Sequence, residues 1–239
     1  MEFENSNNYV GQQVYTIDKS AYRTLFRNVY IWMTLALAIT GVTAFVVASS
    51  PTLVNMIYGN KILFYILLFA PLGLVWYLSA SIHKISATTA TIFFIIYSAL
   101  LGLTLSFIFL VYTEASIALT FFVTAGTFGV MALIGTVTKM DLSKLGSILF
   151  MALIGLIIAS IANFFFKSEM LYWIITYAGV LIFVGLTAYD AQKIKRDLQA
   201  HGYEINETTQ KIALMGALRL YLDFLNMFLF LLRILGGRK

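Results

Sequence analysis

Asp190 closes the apolar run Leu171 to Tyr189, and Asp223 lies inside the run Ile212 to Leu232. An ionised carboxylate in hydrocarbon costs about 2.5–3.5 kcal/mol on insertion scales, so acids in such runs are functional candidates. Two carboxylates brought together in a poorly solvated place resist double ionisation and titrate as one coupled pair. With a proton between them they hold two helices together. Without it they repel each other unless a cation intervenes. Calcium suits that position, because it accepts oxygen ligands in flexible geometry. Asp190 and Asp223 are therefore a candidate proton switch and a candidate weak calcium site, provided the fold brings them together.

Local readings compete with this one. Arg219 precedes Asp223 by four residues, so the two can pair along one helix. Asp190 borders Lys193, Lys195 and Arg196 and could be a solvated helix-end residue. Arg219 has a sharper reading as well: a permanent positive charge one turn before Asp223 favours its ionised form and leaves the proton on Asp190. Other chemistry is thin. The chain has no cysteine, which removes disulfides, thiolate metal sites and cysteine nucleophiles. His83 and His201 lack ligand spacing, and Glu114 reads as an ordinary turn residue. No glycine-rich nucleotide loop follows a strand, so ATP-driven pumping has no support and no cofactor is expected.

The elements that must position the pair follow from composition. Of 239 residues, 60% are hydrophobic and 11% charged, about half the charged share of a soluble domain. Crossing a bilayer takes ~20 helical residues. Six runs reach that length with little or no charge: 29–48, 62–82, 90–112, 117–137, 147–166 and 171–189. A seventh, 212–235, carries Arg219, Asp223 and Arg233. The reading is an all-α polytopic membrane protein with seven transmembrane helices: a tail (1–28), one membrane domain (29–235) and a short end (236–239). Nothing at the start resembles a cleaved signal peptide. Ser98, Gly102 and Ser106, then Gly126, Gly129 and Gly155, suggest close helix packing. Pro71 suggests a kink in the second span.

Charge distribution sets the orientation. With the N-terminus cytoplasmic, the inner segments hold ten Lys and Arg residues, whereas the outer loops hold only Lys61 and Lys167. Arg233, Arg238 and Lys239 break the pattern if the last segment crosses fully, as its length predicts. The basic residues flank spans, so the net charge of +5 indicates a lipid bilayer and not nucleic acid as the partner.

Four segments in order carry a family resemblance. Gly185-Leu186-Thr187-Ala188-Tyr189-Asp190-Ala191-Gln192 resembles the sixth-helix signature of the Bax inhibitor-1 family of transmembrane proteins. Leu220-Tyr221-Leu222-Asp223-Phe224-Leu225-Asn226 is similar to its last helix. The segments Tyr97 to Ser106 and Thr124 to Gly129, with Thr138 to Leu142 beyond, resemble its third and fourth helices and the following loop. The short loops match the bacterial branch. The resemblance implies six helices surrounding a central C-terminal seventh, in a bacterial plasma (inner) membrane. It also implies a pH-sensitive calcium leak gated by paired aspartates, here Asp190 and Asp223, with calcium and protons as the moving ions. Some members latch one aspartate with an arginine on helix two. This chain has none there; the nearby basic residues are His83 and Lys84.

Two other functions stay open on sequence grounds. Intramembrane aspartyl proteases also place two aspartates on consecutive spans. Their Gly-x-Gly-Asp motif is replaced here by Leu220-Tyr221-Leu222-Asp223, and neither proline precedes an alanine, so an enzyme is not expected. The other is a non-transporting modulator of membrane proteases or quality control, docking other membrane proteins through the basic Ala191–Lys211 segment.

Overall fold

A computed structural model describes residues 19–201 and 204–239; most of the expected N-terminal tail lies outside them. The described residues form helices α1 (Lys19–Ala48), α2 (Pro51–Gly59), α3 (Lys61–Ser81), α4 (Ala87–Leu105), α5 (Phe107–Val111), α6 (Glu114–Val137), α7 (Ser143–Phe166), α8 (Glu169–His201) and α9 (Glu207–Leu235). Six stretches are long and apolar enough to cross a membrane: α1, α3, α4 with α5, α6, α7 and α8. Large apolar side chains such as Trp76, Phe122 and Phe164 are about three-quarters exposed, as a lipid-facing surface requires.

The helices overrun the apolar runs that announced them. α1 begins ten residues before the first run, and α8 continues to His201, well past Tyr189. The segment 191–201 is thus helix and not loop. The third span is two pieces, broken at Ser106, whose hydroxyl donates to Leu103 O at 2.8 Å. The hydroxyl oxygen of Ser50 accepts from Leu53 N and starts the short α2, with Pro51 in its first turn.

α9 runs from one end of the bundle to the other. At its start, Glu207 Oε1 accepts from Ala87 N, the first residue of α4. Beyond its end, Gly237 N donates to Ser116 Oγ in the first turn of α6. Chain residues that follow form a short antiparallel bridge between Arg238 and Tyr112. α9 packs on α8, α1, α6 and α4, while α3 and α7 face it across a cavity.

Small residues matter at some of the expected places and not at others. A Cβ on Gly102 would stand 2.7 Å from Thr40 O, so glycine permits the close approach of α1 and α4. Gly126, Gly129 and Gly155 meet nothing that a Cβ would disturb. Gly135, not singled out by spacing, lies directly against the Ala188 carbonyl and seats α6 on α8 two residues before Asp190. Pro71 sits inside α3, where it cannot donate to Leu67 O. Thr104 Oγ1 of α4 donates to that carbonyl instead, at 2.9 Å.

Candidate functional site

Asp190 and Asp223 come from α8 and α9, which pack against each other, and are only 5% and 4% exposed. Their carboxyl groups lie within hydrogen-bonding reach of each other. Asp223 Oδ2 is buried without a hydrogen bond from any donor among the described residues. Two ionised carboxylates cannot hydrogen-bond each other, so a proton held by the pair is what turns their contact into a bond. The pair that the sequence could only suggest across a long separation is therefore adjacent.

Helical spacing aims the right residues at one space. Arg219, Leu222, Asp223, Asn226 and Phe230 follow one stripe of α9, and Phe183, Leu186 and Asp190 follow one of α8. With Leu68 and Phe69 of α3 and residues of α7, they line a cavity of about 1000 Å³. Its walls are mostly apolar. Asn226 is a polar member that residue-type reasoning passed over; its Nδ2 donates to Leu222 O at 2.8 Å, which leaves Oδ1 as an acceptor. Its position three residues after Asp223, on the same helix face, was the available signal. Among the described residues no three His, Cys, Asp or Glu side chains converge as a metal site.

A second cavity of about 650 Å³ opens at the end of the bundle that carries the α8–α9 connection. His83, Asp197, His201 and Lys211 line it. The histidines that seemed unrelated in sequence therefore share one vestibule, because α8 extends far enough to carry His201 to the foot of α3. Arg219 and Leu222 line both cavities and form the wall between them.

Arg219 corrects the expectation of a direct pair with Asp223. Its ion pair is with Asp197, Nη1 to Oδ2 at 3.9 Å. Arg219 lies one turn before Asp223 on the vestibule side, and a long cationic side chain carries its head toward the more polar space. It still lines the same cavity as both aspartates.

The neighbouring polar groups serve the scaffold. Gln192 accepts from Leu142 N at 2.9 Å and donates to Met140 O at 2.7 Å, closing the α6–α7 loop onto α8. Lys195 Nζ donates to Thr136 O at 2.6 Å near the α6 C-terminus, where a cation is favoured. Arg196 pairs with Asp141 at 2.8 Å. Tyr221 is fully buried beside Phe94 and Tyr97, and its hydroxyl meets Thr40 Oγ1 at 2.6 Å. Thr40 also donates to Ser98 O, so α1, α4 and α9 are tied together two residues from Asp223.

The family model described as Inhibitor of apoptosis-promoting Bax1 matches residues 22–239. The chain belongs to the Bax inhibitor-1 family. It is 50% identical over 221 residues to the inner membrane protein YbhL of Escherichia coli (strain K12), covering 92% of this chain and 94% of that protein. It is 44% identical over 212 residues to an uncharacterized protein of Borreliella burgdorferi, covering 89% and 91%. An uncharacterized membrane protein of Streptococcus pyogenes serotype M1 is 34% identical over 225 residues, covering 93% and 96%. The Bax inhibitor-1 assignment and the apolar helices together make this a multi-pass bacterial membrane protein. None of these relatives bears the name of an enzyme.

Proposed function

We propose that the chain is a pH-sensitive calcium leak, with Asp190 and Asp223 as its proton-sharing gate. The observation that carries this reading is the contact of two nearly fully buried carboxylates on α8 and α9, at the wall of a cavity. With a proton in the pair the helices are held together and the cavity stays shut. Loss of that proton leaves two like charges in a medium that screens them poorly, and calcium relieves the repulsion as it passes. The path runs from the vestibule of Asp197, past Arg219 and Leu222, to the aspartate cavity. Arg219 separates the two while it is held by Asp197. Movement is down the gradient and needs no nucleotide.

A docking role for the basic segment after Asp190 draws less support. Lys195 and Arg196 already satisfy the α6 end and Asp141, so their charges are committed within the chain.

The deciding measurement is calcium flux into proteoliposomes, scanned between about pH 5 and 8, because a gate that holds a shared proton makes flux depend on pH. Flux above that of empty vesicles, rising with pH, is expected. Flux equal to empty vesicles throughout that range overturns the proposal.

A further inference from the structure

Three cations meet at the opposite end of the bundle from the vestibule. Lys167 follows α7, Arg233 lies in the last turn of α9, and Arg238 belongs to the C-terminal segment. All three line one hollow of about 640 Å³ whose walls are mainly polar. Glu169 is the sole carboxylate of that lining, and among the described residues none of the three cations has an ion-pair partner. Like charges at the surface of a chain would ordinarily spread apart. Here the fold holds them together.

Each is fixed by a separate device. The Arg233 guanidinium lies over the rings of Tyr172 and Phe230, at 5.5 and 5.1 Å from their centroids, which orients its donors without using them. Lys167 takes a left-handed backbone, φ 51°, where its N–H donates to Asn163 O and caps α7, a conformation that non-glycine residues seldom adopt. Arg238 is held by its bridge to Tyr112, with Thr113 N donating to Gly237 O and Lys239 N to Val111 O.

The hollow also carries the aromatic rim that a lipid interface favours. Tyr172 and Trp173 line it, and Phe164, Phe165 and Phe166 beside it are 73–78% exposed. Amphipathic aromatics gather where hydrocarbon meets headgroups. A phosphate group presents several acceptor oxygens and a negative charge, which a converging fork of Arg and Lys donors matches.

We propose that Lys167, Arg233 and Arg238 form a binding site for a phosphate group, supplied by an anionic phospholipid headgroup or by free phosphate. This site also accounts for the C-terminal cations that run against the usual charge asymmetry. It is independent of the calcium reading.

The test is native mass spectrometry of the full chain released from mixed detergent and lipid, with phosphatidylglycerol, phosphatidylcholine or inorganic phosphate as the probe. Retention of phosphatidylglycerol over phosphatidylcholine supports a lipid source; displacement of that lipid by inorganic phosphate supports a free anion. The double variant Lys167→Gln with Arg233→Gln should lose the preference by about tenfold or more. Glu169→Gln removes the one opposing charge and should strengthen retention, a gain that misfolding cannot imitate. Lys61→Gln, a cation outside the hollow, should change nothing. Equal retention of both lipids with no effect of phosphate overturns the site, as does an unchanged preference in the double variant or in Glu169→Gln.

Discussion

Arg219 Nη1 stands 3.9 Å from Asp197 Oδ2, so the residue in the wall between the vestibule and the aspartate cavity is held from the vestibule side. The arginine thus has two sets of anions within its reach: one in the more polar space, and one buried.

Its removal should be visible in pH dependence. A guanidinium near the pair favours the ionised form. Arg219→Gln should therefore shift the pH midpoint of calcium flux upward. Asp197→Asn frees the guanidinium to lean toward the aspartates and should shift that midpoint downward. Titration of flux against pH in both variants checks the signs; unmoved midpoints would make Arg219 a plain interfacial residue. The absence of cysteine adds a second check. Asn226→Cys should react slowly with a membrane-impermeant thiol reagent, and faster once Arg219→Ala is added.

The two aspartates should not be equivalent. Their exposures are nearly equal, but Asp223 has a buried oxygen that no donor among the described residues serves. Asp223→Asn should disturb gating more than Asp190→Asn, and either should flatten the pH response, since an amide does not titrate. Flux curves for the two variants, compared for slope and midpoint, decide the ranking.

Asp141 supplies a contrasting case. Hydrogen bonds from Ser143, and then Arg196, hold its carboxyl well below the usual carboxylate range. A lowered folded-state value contributes stability that is present above the unfolded value of about 3.9 and is lost as pH falls through the folded value. Asp141 therefore stays charged across about pH 5 to 8. Asp141→Asn should leave the midpoint of flux where it was, and any loss of thermal stability should be equal at both ends of that range.

Thr104→Val should loosen α3 from α4. The Leu67 carbonyl would then lack a donor on both counts, at a cost of about 1–2 kcal/mol. In a Pro71→Ala background the backbone N–H returns to Leu67 O, and the same substitution should cost less. Thermal unfolding of the four proteins in detergent, read as a double-mutant cycle, measures the difference.

How much of this was legible in the chain depends on distance along it. Apolar runs of bilayer length predict the spans because the hydrocarbon core acts on each segment locally. An acid within such a run is conspicuous for the same reason, so Asp190 and Asp223 stood out before any contact was known. The α8 extension to His201 was hidden, because a helix leaving the membrane need not be apolar. Gly126 and Gly135 look alike in sequence, yet only Gly135 meets another backbone. Which face of α6 turns toward α8 is settled by packing. The direction taken by Arg219 was likewise undecidable from spacing. Four residues along a helix permit a pair with Asp223, but only the tertiary fold sets Asp197 beside it and opens a polar space there. Local chemistry determined which residues are costly in a membrane. Tertiary structure decided which of them meet, because a contact between helices depends on how distant segments pack.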